Sequence, residues 1–586
     1  MSFLWASAIA APIAIAAVLG LLIAYSGGGR AIDLWVRSAP LSLIPFAVLA
    51  IVGPAAGPIE LPWLMLGTHL TMDFLARPLL LVAVLLYAAA MIAAHSSRTD
   101  RAHILVAYLL VCFVGNALVF VAADTVTFYL GFAVMSIAAY GLVIHERSAA
   151  AQRAGRVYIV LAVAGEMVIL AALLLVVDAG GLLLADAPVA VAESSHRELI
   201  VLLLLVGFGV KAGTVPLHVW LPLAHPAAPP PASAVLSGSM IKAGLVGWLR
   251  FLPLGEVAMP GWGTALIVVA LVGAFAALLP GLFQNDAKVA LAYSSISQMG
   301  FLAVLVGVAL AEPDIAPVCA FAAVVYAVHH GMAKGGLFLG VTVWRTHGEG
   351  WIRWWVIGGL TFLALAVAGA PFGSGAVAKY AAKEAVDPAT LWGVNLVSLL
   401  PFVGTVSTLL LLRAGWLLLT GDRDRAWGVD GAVVSWSVLI VGGTVLTWVL
   451  ALQWSPILTL PGFELSAVWA AAWPILLGMA LAAAGWWRSS GSRRWRIDGW
   501  QIPPGDILLP EEKAARAMTT HLASGARYVG SQRARWSSGF MTLAERGPSP
   551  VKVVTGAERR ISSWVGSGAV TVALMGALLI LVVGIW

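Results

Sequence analysis

Four lysines stand inside runs of apolar residues: Lys211, Lys242, Lys334 and Lys379. A charge at the centre of a bilayer is costly, so each needs a functional reason. Lys211 lies in LLLVGFGVKAGTVPLHVWLP, where Pro216 must interrupt a helix. Lys379 follows a second break, at Pro371 and Gly373, in GAPFGSGAVAKY. Broken helices free backbone groups that line watery cavities and ion sites. A desolvated lysine beside such a break can lose and regain a proton within a cycle. Snorkelling to an interface is the alternative, most readily for Lys334. The histidines His218, His225, His329 and His330 add groups that titrate at about pH 5 to 8. His225 sits in LPLAHPAAPPPASAVLSGSMIKAG, a proline-rich re-entrant stretch leading to Lys242. Together these residues read as a hydrated proton relay. They do not read as a metal site, because no nearby set of carboxylates or thiolates has ligand spacing.

Such a relay needs membrane-spanning helices to carry it. The chain has 586 residues, 61% hydrophobic and 11% charged, against about 25% charged in soluble domains. Lipid must therefore be the solvent for most of the molecule. Cys112 and Cys319 both lie in apolar runs, which argues against a disulfide framework or a thiolate metal site. A span needs about 20 apolar residues. Runs of that kind occur at about 3–25, 38–55, 74–94, 103–122, 123–145, 155–177, 198–215, 232–253, 262–282, 287–309, 316–344, 355–382, 391–419, 432–452, 468–487 and 566–586, roughly sixteen in all. The expected fold is an all-α polytopic membrane protein.

Loop charge then orients the spans. Arg30, Arg37, Arg98, Arg101, Arg147, Arg153, Arg156, Lys288, Arg345, Arg353, Arg423 and Arg425 fall in loops of one parity. The other loops carry mostly acids, with Arg197 and Arg250 as exceptions. The positive-inside rule places the basic loops in the cytoplasm and both termini outside a bacterial-type inner membrane. That orientation accounts for the excess of basic residues without nucleic acid as a partner. Between the last two runs, residues 488–565 are too basic to span. After Pro503-Pro504-Gly505, residues 510–545 are expected to form a surface helix about 50 Å long, against headgroups or a partner subunit.

The motifs carry a resemblance. GVKAGTVPLHVWLPLAHPAAPPPASAVLSGSMIKAG, DAKVALAYSSISQMGF and HHGMAKGGLFLG occur in order, the last matching a His-x-x-x-Lys-x-x-x-Phe-Leu pattern at His330 and Lys334. They resemble the antiporter-like proton-translocating subunits shared by respiratory complex I, membrane-bound hydrogenases, formate hydrogenlyase and Mrp antiporters. The likeness covers roughly residues 70–420, and its SGSMIK and LAHPAAP wording leans toward the hydrogenase and Mrp branches. It implies N-terminal helices over 1–102, two inverted five-helix repeats over 103–253 and 262–419, further helices over 432–487, a lateral helix within 488–565 and a final anchor at 566–586. It also implies roles: Lys211 as the proton-loading lysine, Lys242 as the central connection and Lys379 at the outlet.

One position departs from the pattern. The family usually carries a glutamate, paired with the first lysine, where GFAVMSIAAY has Ala133. Glu166, in VYIVLAVAGEMVILAALLL, is the carboxylate in the middle of a nearby span that could substitute; a structural acid is the alternative.

The resulting expectation is a subunit that moves H⁺, or alternatively Na⁺, inside a larger complex of membrane and peripheral subunits. The pathway set is Lys211, Lys242, Lys334, Lys379, Glu166, His218, His225 and His330. No catalytic site and no nucleotide, flavin, iron–sulfur or metal cofactor is expected, so redox chemistry belongs to partners. Two other readings stay open: coupling of ion flow to inorganic-carbon uptake, which the missing glutamate favours, and a non-conducting scaffold.

Overall fold

The computed structural model describes residues 2–25, 29–64, 67–97, 99–421, 428–462, 464–490 and 502–506. The chain is a polytopic helical membrane protein. Among the described residues, thirteen helices are long and apolar enough to cross a bilayer, from Phe3–Ala24 to Leu465–Trp487. They overlap thirteen of the expected runs. Two further runs meet broken helices, 198–215 covering only the first half of one and 355–382 both halves of the other, and the sixteenth, with the expected surface helix, lies outside the described residues.

The two broken helices are what position the charged residues. The first comprises Arg197–Ala212 and Trp220–Ala227, and the second Ile352–Ala368 and Ser374–Ala385. Each first half ends at a glycine in the left-handed region, Gly213 (φ 70°) and Gly369 (φ 100°). Their N–H groups return to carbonyls of the last turn, which closes the helix in the way an L-residue resists. The freed carbonyls then find side-chain donors across the break. Trp220 Nε1 donates to Val210 O at 2.7 Å, and Lys379 Nζ to Ala368 O at 3.0 Å. Both pathway lysines thus lie at the negative end of a half-helix, where a cation is favoured.

Helix starts are fixed by local acids and a serine. Asp124, Ser148, Asp286 and Asp430 each accept from backbone N–H groups of the first turn. The two arginines that break the loop-charge rule are held locally. Arg250 forms an ion pair with Asp73, while Arg197 lies 3.7 Å from Glu198 and donates to Ala192 O at 3.1 Å. Two short hairpins, Ile59–Leu61 with Thr68–Leu70 and Thr390–Leu391 with Val394–Asn395, close inter-helix connections.

Candidate functional site: a buried line of lysines and histidines

Lys211 ends the first half of the first broken helix with its ammonium turned inward. Its Nζ donates to Ser136 Oγ at 2.9 Å and to Tyr158 OH at 3.3 Å. Ser136 lies three residues after Ala133 on Thr125–Val143, so Lys211 docks on the helix where the family's glutamate would stand. Glu166 lines the same small cavity, with Phe132, Ser136, Tyr158, Lys211 and Trp220. It is buried beside Lys211 and Ser136 in that cavity, and its Oε1 has no hydrogen-bond partner among the described residues. Helical periodicity explains the inward aim. On Ala149–Asp178 the exposed stripe runs through Val160, Val163, Met167 and Leu174, while Glu166, Ile169, Leu173 and Val176 form the buried one.

Lys242 occupies the centre. The span Pro230–Phe251 is interrupted over Leu236–Met240 by a π-helical turn, a distortion frequent at functional sites. This turn presses Gly238 against Gly331 of Ala316–His347, so closely that a Cβ on Gly331 would stand 2.6 Å from Gly238 O. The approach brings Lys242 Nζ to 2.8 Å from His330 Nδ1, while Lys242 also donates to Ser237 O at 2.7 Å.

Adjacent residues on one helix point apart, and here that divides the histidine pair. His330 faces Lys242, and His329 Nδ1 lies 2.9 Å from Ser374 Oγ at the start of the second half of the second broken helix. His329 is the member of the histidine group that the sequence left off the pathway. Lys379, one turn further along that half-helix, opens onto a larger cavity with Phe301, Gly369, Tyr380, Gly404 and Pro474 in its wall.

Lys334 does not snorkel. It is fully buried, donates to Leu291 O at 2.7 Å, and sits 5.6 Å from the centroid of the Phe338 ring. The other face of this group is His225, whose ring stacks on Phe338 at 4.2 Å and whose two nitrogens have no partner among the described residues. Ser295 and Ser237, 2.8 Å apart, connect the Lys334 region to Lys242, since Ser295 also donates to Leu291 O. His218, in the first break, stands apart from these contacts. Its Nε2 is 3.1 Å from Asp506 Oδ1.

Sequence reasoning missed Lys288. Read as a loop residue, it is buried in the first turn of Ala287–Ala311 and holds Pro226 O at 3.0 Å and Ala228 O at 2.8 Å. It thereby clamps the end of the short helix that carries His225. The polar residues Ser136, Tyr158, Ser237 and Ser295 were also missed, because hydroxyls in apolar helices carry no distinguishing signal until a lysine is placed beside them.

The described residues form a membrane-spanning helical bundle with two broken helices and a set of buried basic side chains. Residues 122–354 match the family described as NADH:quinone oxidoreductase/Mrp antiporter, transmembrane. Hydrogenase-4 component B of Escherichia coli is 35% identical over 222 residues, which are 36% of this chain and 33% of that protein. NAD(P)H-quinone oxidoreductase chain 4 1 of Picosynechococcus is 32% identical over 301 residues, 49% of this chain and 54% of the relative. These alignments span from a third to about half of the curated relatives' length. Among solved structures, an Mrp complex from Dietzia gives a TM-score of 0.70 at 20% identity, covering 98% of this chain and 69% of that one. An archaeal membrane-bound sulfane sulfur reductase gives 0.66 at 20% identity, with 98% and 99% covered. These structures share the fold.

Proposed function

We propose that the chain is a proton-translocating, antiporter-like subunit of a multi-subunit energy-converting complex, set in a bacterial inner membrane with its arginine-rich loops in the cytoplasm. The observation that carries this reading is the set of buried basic groups Lys211, Lys242, Lys334, His330, His329 and Lys379, the first and last of them held at broken helices. A scaffold would have no reason to bear the cost of so many buried cations. Among the described residues, buried nitrogens of His225, His329 and His330 have no partner. Leaving such groups unsatisfied costs about 1–3 kcal/mol each, so a file of bridging water along the axis is the natural completion.

Each transfer moves one proton between neighbouring bases. When Lys242 is charged, it donates to His330 Nδ1; when the proton crosses, neutral lysine accepts from Nδ1–H and the charge resides on the imidazole. Glu166 takes the part of the missing family acid: a carboxylate beside Lys211 favours its charged form, and protonating that carboxylate releases the hold. Two repeats, 103–253 and 262–419, supply the half-channels. Their fourth helices are the two broken ones, closed alike by a left-handed glycine. An odd number of spans per repeat inverts the second against the first. Partner subunits supply the energy, as the names of the relatives would lead one to expect.

The test is proton flux into liposomes carrying the purified complex. Replacing Lys334 by methionine should stop flux while the complex still assembles. Undiminished flux would remove the basis of the proposal.

A further inference from the structure

The short segment 502–506 is built into the first broken helix, although the nearest described residues before it end at Ser490. Gln284 Nε2 donates to Ile502 O at 3.0 Å and so anchors the start of the segment. Gly505 is buried, with φ 80°, and its backbone lies against the short helix Trp220–Ala227; a Cβ there would stand 3.2 Å from Leu223 Cδ1 and 3.5 Å from Val219 O. The turn delivers Asp506 to His218. The imidazole is 3% exposed and the carboxylate 21%. On the far side, His218 Nδ1 is buried and has no partner among the described residues. A partly exposed acid on one nitrogen and a buried second nitrogen without a partner among the described residues form a two-ended group at the break leading to Lys211.

We infer that Asp506 is the proton-collecting carboxylate of the first half-channel, passing protons to His218 at the arginine-rich side of the membrane. The inference rests on the proton-translocating reading above and adds a residue to it. The Asp506 carboxyl gives its proton to His218 Nε2, which makes an imidazolium. His218 then releases the proton of Nδ1 inward, leaving the Nε2–H tautomer. No electrons move, the carboxylate is protonated again from water, and the imidazole returns to its Nδ1–H tautomer by a flip of the ring before it accepts the next proton. The side of the membrane follows from the neighbours. Gln284 and Asp286 belong to the connection just before Ala287–Ala311, whose first turn carries Lys288, and Arg413 holds Gln284 O at 2.7 Å. The tight seating of Gly505 fixes the acid on the imidazole, where a freely moving loop would lose that geometry.

The experiment compares Asp506→Asn, Asp506→Glu and Lys242→Met in the intact complex in liposomes, with and without added formate as a small diffusible acid. Asparagine keeps the size and docking of the side chain and removes the proton. The expected result is a fall in flux of about 100-fold in Asp506→Asn, the scale of a lost acid–base group. Asp506→Glu should restore it, and formate should raise flux in Asp506→Asn beyond its leak through Lys242→Met vesicles. Wild-type flux in Asp506→Asn alongside a silent Lys242→Met would overturn the assignment and leave the larger reading intact. Equal loss in the Asn and Glu variants, with no response to formate, would make Asp506 a structural clamp and overturn it too. If Lys242→Met itself conducts normally, the translocation reading fails and this inference fails with it.

Discussion

Lys242 Nζ and His330 Nδ1 stand 2.8 Å apart, on two different helices, with both side chains fully withdrawn from the surface. The pair exists because a π-helical turn and two glycines let those helices touch backbone to backbone. One hydrogen bond can carry the proton in either direction between an amine and an imidazole, and each outer neighbour then decides which side is favoured. On one side the polar contacts run through Ser237 and Ser295 toward Lys334; on the other, His329, next to His330 in the chain, lies 2.9 Å from Ser374 of the second broken helix.

Replacing Lys242 by methionine removes the charge with little change of volume. Flux should fall by about 100-fold or more, with subunit composition unchanged on purification. His330→Gln should be as severe, because glutamine cannot take the proton. Vesicle measurements in which both variants conduct normally would show that the pair lies off the route.

Glu166→Gln should also cripple flux, and Ala133→Glu in that background should restore part of it. Ala133 is one turn from Ser136, the hydroxyl that Lys211 already binds, so a carboxylate there lies on the correct helix. The rescue is the sharper half, since a structural Glu166 would also fail when changed. A double variant no better than Glu166→Gln would assign Glu166 to folding.

Much of this arrangement was legible in the sequence. The breaks at Pro216 and at Pro371–Gly373 announced themselves, because proline and glycine act on the backbone locally. The lysines stood out against their apolar surroundings for the same reason. What stayed hidden were facts of packing. On Ala149–Asp178 both faces are apolar, one for lipid and one for protein, so hydrophobic periodicity could not show that Glu166 turns inward. Lys288 looked like a loop cation; only the fold reveals that the end of the short His225 helix needs a buried donor. The docking of Asp506 on His218 joins residues 288 positions apart, beyond any local pattern.

Arg250 and Asp73 offer a test of how the ends of the bundle are tied. Asp73 also accepts from Leu75 N and Ala76 N at 3.0 and 2.8 Å, so it caps Ala76–Ser96 while pairing with the last turn of Lys242–Phe251. Arg250→Met should lower the stability of the detergent-purified complex by about 1–3 kcal/mol, the cost of stranding a charge-assisted hydrogen bond. A fluorescence melt would read the loss. Lys334 and the histidines are untouched, so residual flux per folded complex should match the wild type. A variant that melts normally would show the pair to be dispensable.

The last prediction concerns the approach of Gly238 to Gly331. A Cβ on Gly331 would press on the Gly238 carbonyl at 2.6 Å, and one on Gly238 would come within 2.8 Å of the Gly331 carbonyl. Backbone cannot yield there as a side chain could, so Gly331→Ala must push the two helices apart. Overpacking of this kind costs about 1–3 kcal/mol, and it acts on the geometry that holds Lys242 beside His330. Flux should therefore drop although every titratable group is still present. Ala333→Gly, two residues along the same helix and away from that contact, should conduct normally. Cysteine pairs placed across the two helices would report the separation by cross-linking yield. If Gly331→Ala cross-links and conducts like the wild type, close contact between these helices is not what aligns the central pair.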